Sequence, residues 1–600
     1  MQIKFFLKQH KHLAILFAVT IFFISLPTLN LFLDKDFKWR GVETAVVAYQ
    51  GSWSYYDVRI REIVSGHPFI GNPSFLEHNN EIAPAFFGAD WLAAIPRLLG
   101  ASLGWGAIIN LLFWSLLYVF LSYGTLRQLG ASKTVSVIGA ELSYLQIFYM
   151  MVTPVSMQEV FPFYLFFLFA FIFWIKDYKN KKRTALLILA SVLSFYIYTY
   201  LWQIALIMFG LAGSYWLLTK EKERIFTLIK VLGSIFIFST PFFIITYFQL
   251  THPYYWETMR RIGFMQTHMI FAETFYSGRW VILIILLWFL SFRWNTELRT
   301  NQAYKTSFIF VAISGLSLLI ASSSNIITGK ELELSEHIYR FILAWMPLAL
   351  MTFLFFVKNN WADFKLFSLS KKIIIFVLCL AVFFGLAKYY YRDYIYQLSH
   401  RQQIIQNIED SERPNAVLSW LESREKNPVV IWIDDDSKSA IEGYITAATK
   451  HYVLFNLGGA LHLVSSKEVE ERYLVSNYFN QLSLVDIKND FNQYAGAANA
   501  VHLYKTHNRK VTLCRFFQLD KFGYNCGEKT DAISLKGEKY FTDLYEKYTK
   551  EILPHIGGYL KKYNVAYFIK DRRVNKNIEV GKIALDLVSS DDNFEVYKIK

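Results

Sequence analysis

The feature that most constrains this chain is a series of apolar runs, each close to the length a bilayer requires. About 20 consecutive apolar residues cross the hydrocarbon core, and soluble folds do not tolerate many such runs in succession. Of 600 residues, 54% are hydrophobic and only 18% are charged. That balance excludes an ordinary soluble globular protein. The runs are dense up to Lys388. From Tyr389 to Lys600 the composition becomes that of a soluble domain. Two regions are therefore expected: 1–388 in the membrane and 389–600 outside it.

The expected fold is an α-helical polytopic membrane protein of about 11 spans, followed by an extracytoplasmic α/β domain. The spans are read at residues 13–33, 105–126, 134–152, 160–175, 184–200, 201–218, 225–247, 280–292, 306–321, 338–357 and 373–386. The stretch 184–218 reads either as one long tilted helix or as two short ones. With the N-terminus in the cytoplasm, the inner segments carry about twice as many Lys and Arg as the outer loops, as the positive-inside rule requires. The odd count then places the region after residue 386 outside. The formal net charge of +14 belongs to this orientation signal and not to nucleic-acid binding. The basic start and the run 13–33 read as a retained first helix, too long for a signal-peptide core. An integral protein of the plasma (inner) membrane is expected.

In the outer region, strands are expected at "VVIWI", "HYVLF", "VTLCRFF", "VAYFIKD" and "FEVYKIK", starting at Val429, His451, Val511, Val565 and Phe594. Helices are expected at 437–449, 467–480, 540–562 and 579–589. Of the 3 Cys, Cys379 lies in the last span and reads as packing. Cys514 and Cys526 leave two readings open, a disulfide in an oxidising compartment or two thiols.

No Walker motif, dinucleotide fingerprint, HExxH or CxxC pair is present. The distinctive residues gather in three outer loops. The first, 34–104, carries "YYDVRIREIVSG". Tyr56, Ile60, Ile63 and Val64 share one helical face there, and a second amphipathic piece follows at 89–99. Two helices lying along the outer leaflet are expected. The acids of this loop are Asp34, Asp36, Glu43, Asp57, Glu62, Glu77, Glu81 and Asp90. For most of them a solvated loop charge is the simpler reading. In the second loop, Arg260 and Arg261 stand among aromatics and suit a lipid phosphate or anionic headgroups. In the third, Glu336, His337 and Arg340 open a span, where an ionisable group is costly unless it faces a cavity or snorkels outward. Glu141 inside the third span, and Gln158 and Glu159 at the start of the fourth, are expected to line a cavity.

This arrangement resembles the GT-C type of membrane glycosyltransferase, which includes protein O-mannosyltransferases, aminoarabinose transferases and oligosaccharyltransferases. The resemblance rests on the architecture, on "YYDVRIREIVSG" in a large first outer loop, and on "HIYRFILAWMP" opening a late span. It implies transfer of a sugar from a polyprenyl-phosphate donor to a lipid, glycan or protein acceptor on the outer face. It also implies that an acid of the first loop acts on the acceptor, with arginines steadying the departing phosphate. The family's acid pair stands shortly before the helix Tyr, where this chain has Ser52 and Trp53. Asp57, then Asp36 and Glu43, are the acids expected in its place. Arg260, Arg261, His337 and Arg340 are expected to bind the donor phosphate. A divalent cation is left open, because some relatives use one. Two other readings stand beside this: a transporter or flippase of a lipid-linked glycan, and a GT-C-like scaffold that binds without transfer.

Overall fold

The structure is a computed structural model. It describes residues 11–32, 53–268, 272–332, 334–360, 413–434, 441–573 and 583–600, with scattered positions between 369 and 406. Asp36, Glu43, Cys379 and most of the expected span 373–386 lie outside the described residues.

Among the described residues, helices occupy the expected apolar runs because each run satisfies its own backbone polar groups only as a helix. α1 (Lys11–Phe32) precedes the first loop. A π-helical turn at Trp53–Asp57 runs straight into α2 (Val58–Val64), and α3 (Gly88–Leu98) closes the loop. Then follow α4 (Leu103–Gln128), α5 (Lys133–Met151), α6 (Met157–Lys176), α7 (Lys181–Ile197) and α8 (Thr199–Leu218). Ser102 and Ser132 cap α4 and α5 through their hydroxyls. α9 (Lys222–Phe238) and α10 (Thr240–Thr251) meet at a 53° bend, where Pro241 lacks the N–H a continuous helix would use. α11 (Tyr255–Ile262), β1 (Phe264–Gln266), α12 (Ala272–Trp294), α13 (Gln302–Ser322), β2 (Lys330–Leu332) and α14 (Leu334–Asn359) complete this part.

Among the described residues, five helices are long and apolar enough to cross a membrane, or six if the bent pair is one span. The count of about 11 is not reached. The α5 and α7 stretches form helices, but α5, with 19 residues, falls short in apolarity and α7, with 17, falls short in length. The ambiguous stretch 184–218 resolves into two helices broken at Tyr198, whose backbone is extended.

The C-terminal region is an α/β unit. α15 (Asn415–Arg424), β3 (Val430–Asp434), α16 (Ile441–Ala448), β4 (Tyr452–Val453), α17 (Leu457–Ala460), α18 (Ser466–Ser476) and α19 (Ala497–His507) precede β5 (Val565–Asp571), β6 (Leu585–Ser590) and β7 (Phe594–Ile599). The strand order is β4-β3-β5-β7-β6, parallel on the β4 side and antiparallel at β5–β7 and β7–β6. Both faces are covered. Val430, Trp432 and Phe568 point into one apolar layer, Ile431, Ile433 and Ile569 into the other. Two expectations are corrected. The segment at Val511 is helical (Arg509–Phe516), and the described part of 579–589, from residue 583 on, leads into strand β6. Cys514 and Cys526 are bonded, with Cα atoms 5.5 Å apart.

The segment between α1 and α4 is buried at α2, where an interfacial helix is expected from sequence. Residues 58–63 are all buried, the charged Arg59, Arg61 and Glu62 included. Arg61 donates to Thr446 O at 2.8 Å and Pro73 O at 2.6 Å, and its guanidinium lies 4.6 Å from the Tyr452 ring centre. Tyr452 Oη donates to Glu62 at 3.2 Å. Further along, Val453 N donates to Ser74 O, extending the β4 edge, and Asn72 donates to Gly459 O. Phe75 is fully buried in the apolar layer of the C-terminal sheet. Arg472, also fully buried, stacks between Phe75 and Tyr563 and pairs with Glu77 and Glu468. Only α3 keeps the expected interfacial character: Trp91, Ile95, Leu98 and Leu99 form an exposed apolar stripe opposite buried Asp90, Ala93 and Ala94.

Candidate functional site

A cavity of about 390 Å³ sits where the first loop, the membrane helices and the C-terminal unit meet. Tyr55, Tyr56 and Arg59 enter it from the π-helical turn and α2, and Ala89 and Asp90 from α3. Val155 and Ser156 come from the α5–α6 turn, Tyr198 to Tyr200 from the α7–α8 break, Arg261 from α11 and His337 from α14. Leu457, Leu461 and Ala498 come from the C-terminal unit.

Its charged centre is the pair Arg59–Asp90. Arg59 donates from Nε to Oδ1 at 2.7 Å and from Nη2 to Oδ2 at 2.8 Å, the planar bidentate geometry. A third, longer bond runs from Nη1 to Tyr55 Oη at 3.4 Å. Of the five guanidinium N–H groups, two remain uncommitted among the described residues. Burial works against the charged guanidinium, yet Asp90 beside it raises the Arg59 pKa, so it stays a cation. Burial also raises the Tyr55 hydroxyl, which Arg59 partly offsets.

The turn that presents Val155 and Ser156 is strained. Val155 has φ of 62°, a left-handed conformation unfavourable to a β-branched residue. Glu159, fully buried, pins it by accepting from Val155 N at 2.7 Å. Tyr198, at the α7–α8 break, shares a hydrogen bond with His337 Nδ1, and the Tyr200 ring lies 5.0 Å from the His337 ring. The aromatic wall of the cavity therefore follows from a helix interruption.

His462 stands behind Tyr55, with ring centres 5.9 Å apart. Its Nδ1 lies 3.0 Å from Gly458 O and therefore carries the proton, while its buried Nε2 finds no partner among the described residues. Burial, then the nearby Arg59, pushes His462 down to about 3, so it is a neutral imidazole.

The expected residues divide. Arg261 and His337 reach the cavity. Arg261, however, donates to Ala460 O, Ser466 Oγ, Thr258 Oγ1 and Val464 O at 2.6 to 3.0 Å, leaving one N–H for anything else. Burial lowers it to about 10 despite Glu257 and Glu470 nearby. It is first a strut joining α11 to the C-terminal unit. Asp57 is buried beside the cavity and does not line it. Arg260 is exposed and Arg340 half-buried, and neither lines it. Glu141 accepts from Thr20 at 2.9 Å and ties α5 to α1, and Glu159 supports the wall from behind. Neither faces the cavity, contrary to expectation, because each is used as a hydrogen-bond acceptor inside the helix packing. Among the described residues, Asp90 is the acid that reaches the site. Its sequence signal was weak: one carboxylate in the otherwise apolar "GADWLAAIP". Among the described residues, no three His, Cys, Asp or Glu side chains are placed to hold a metal ion.

No protein-family model matches the chain, and no curated protein matches it.

Proposed function

We propose that this chain is a GT-C-type membrane glycosyltransferase that moves a sugar from a polyprenyl-phosphate donor to a lipid, glycan or protein acceptor outside the cytoplasm. The observation that carries the reading is the cavity itself: one carboxylate, two arginines of which Arg59 is the less committed, and four tyrosines, at the junction of the first loop with apolar helices. The full topology under this reading is about 11 spans with the N-terminus inside. The Cys514–Cys526 disulfide suits an outward C-terminal unit in the plasma membrane.

The chemistry asks little of the protein beyond charge placement. As the bond from the anomeric carbon to the phosphate oxygen breaks, the sugar becomes oxocarbenium-like and the acceptor oxygen loses its proton. Asp90 would accept that proton or orient the hydroxyl. Arg59, with two N–H groups uncommitted among the described residues, would steady the phosphate that leaves. The tyrosines offer stacking faces for the sugar. Asp57 is assigned a supporting role behind them. A binder without transfer is the second reading, favoured by the bidentate pairing with Arg59 that engages both Asp90 oxygens and by Ser52 and Trp53 in the place of acids.

Transfer from a polyprenyl-phosphate donor in membranes tests this, with Asp90→Asn, Asp57→Asn and Arg340→Ala compared below their unfolding temperatures. Loss of a general base costs about 100-fold or more, and that loss is expected for Asp90→Asn alone. Transfer by Asp90→Asn at the unsubstituted rate would sink the assignment. A wild-type chain that retains the lipid phosphate but transfers nothing would favour the binder.

A further inference from the structure

The cavity leaves one unusual surface unexplained, the excursion from Asn508 to Thr530. Its base is clamped by two bonds: Asn508 Nδ2 donates to Thr530 O at 2.7 Å, and Thr530 N donates to Asn508 Oδ1 at 2.8 Å. The Cys514–Cys526 disulfide staples it midway, and Arg515 donates to Gly527 O at 2.9 Å. The helix Arg509–Phe516 packs mainly against α19 and the turn that follows it. The excursion therefore projects, held by crosslinks instead of a core. Yet it exposes Leu513, Phe517, Phe522 and Tyr524, with Phe522 at 76%. Isolated exposed apolar residues are ordinary, but a crosslinked tip made of them marks a contact surface. Five Lys and Arg (Arg509, Lys510, Arg515, Lys521, Lys529) stand against two acids (Asp520, Glu528) over the same stretch.

Its position narrows the partner. α19 packs on α11 and β1, and β1 pairs with β2 between α13 and α14. α11 itself follows directly from the apolar helix α10. Near β2, Ile327 is 86% exposed, among the most exposed apolar side chains in this part of the chain. The excursion is thus tethered to the same end of the helix bundle as these apolar side chains. A protein interface would be depleted in Lys. Aromatic and leucine side chains ringed by Lys and Arg instead match the headgroup layer of an anionic bilayer.

We propose that the stapled excursion 508–530 is a membrane-surface foot, which seats its exposed aromatics among the anionic phospholipid headgroups of the bilayer that holds the helices. It anchors the C-terminal unit over the cavity. The inference rests on the outer placement of this unit and not on any transferase activity, so failure of the transfer assay leaves it standing.

The test is hydrogen exchange of the full chain in nanodiscs, one set of phosphatidylcholine alone and one containing phosphatidylglycerol. Exchange across 509–526 is expected to slow about tenfold or more in the anionic discs, while α16 stays unchanged as an internal reference. Phe522→Ser with Tyr524→Ser, and separately Lys510→Glu with Lys521→Glu, are expected to remove that protection. All four side chains are exposed, so neither variant disturbs the core. Equal exchange in both lipids, or protection untouched by both variants, would overturn the proposal and point to a protein or glycan partner.

Discussion

Removing the carboxylate of Asp90 should do more damage than removing any other acid of the first loop. Asp90 and Arg59 have side chains 1% and 4% exposed, and they exchange two charge-assisted bonds of 2.7 and 2.8 Å. In Asp90→Asn the buried guanidinium loses its counter-charge, and of its two bonds to residue 90 only the one to the amide oxygen can persist, while the amide NH2 opposes a guanidinium N–H. Stranding one member of such a pair costs about 3–5 kcal/mol. At about 2–4 °C per kcal/mol for a unit of this size, the transition involving this loop should fall by about 6–20 °C. Arg59→Met should fall comparably, because it strands the carboxylate. The double variant Arg59→Met with Asp90→Leu removes both charges and should recover most of the loss. Thermal unfolding in detergent, followed by protease cleavage within 53–98, measures all three. Single variants that unfold with the wild type, or a double variant no better than either single one, would refute the reasoning.

Two further outcomes follow from the docking of the loop. Burial alone would lower the His78 pKa, but its bonds to Glu468 and Glu81 prevail and raise it to about 9. A raised imidazole pKa adds stability below about 6.5 that is lost as pH climbs toward 9. Hydrogen exchange of residues 74–83 should therefore quicken between those pH values, and His78→Gln should flatten the dependence. At Gly459, an added Cβ would lie 2.7 Å from the Phe75 ring and 2.9 Å from Ser74 Cβ. Gly459→Ala should cost about 1–3 kcal/mol by overpacking, seen as faster proteolysis of 66–80 with the helix bundle intact.

The helices of the membrane part were legible because each carries its own signal, an apolar run, although only five or six of the described ones are long and apolar enough to cross a membrane. The break at Tyr198 was half legible: the stretch was too long for one span, but nothing local chose the breaking residue. What failed were contacts made across the chain. Tyr56 to Val64 has a clear apolar face, and periodicity says nothing of what covers the other side. Arg61 finds Thr446 O and Glu62 finds Tyr452, both more than 380 residues away. Asp90 was one acid among eight until Arg59 turned toward it. Glu141 and Glu159 are expected from sequence to line a cavity, but one hydrogen bond, from Thr20 or from Val155 N, gives each a use inside the helix packing. The segment at Val511 has the apolar alternation of a strand, yet it packs against α19 and the turn after it and closes its backbone bonds locally as a helix.

Phe75 has a consequence for how this protein is made. Its ring completes the apolar layer beneath β3 and β5, although more than 350 residues separate it from β3. During synthesis the loop emerges early and must wait, its aromatic side chain uncovered, until the last strands have been delivered to the same side. A gene fragment that starts after the helices encodes a sheet with a hole where this ring belongs. The C-terminal unit is thus not an interchangeable module: it can be swapped or expressed apart only with the strand-edge segment around Ser74 and Phe75 supplied to it.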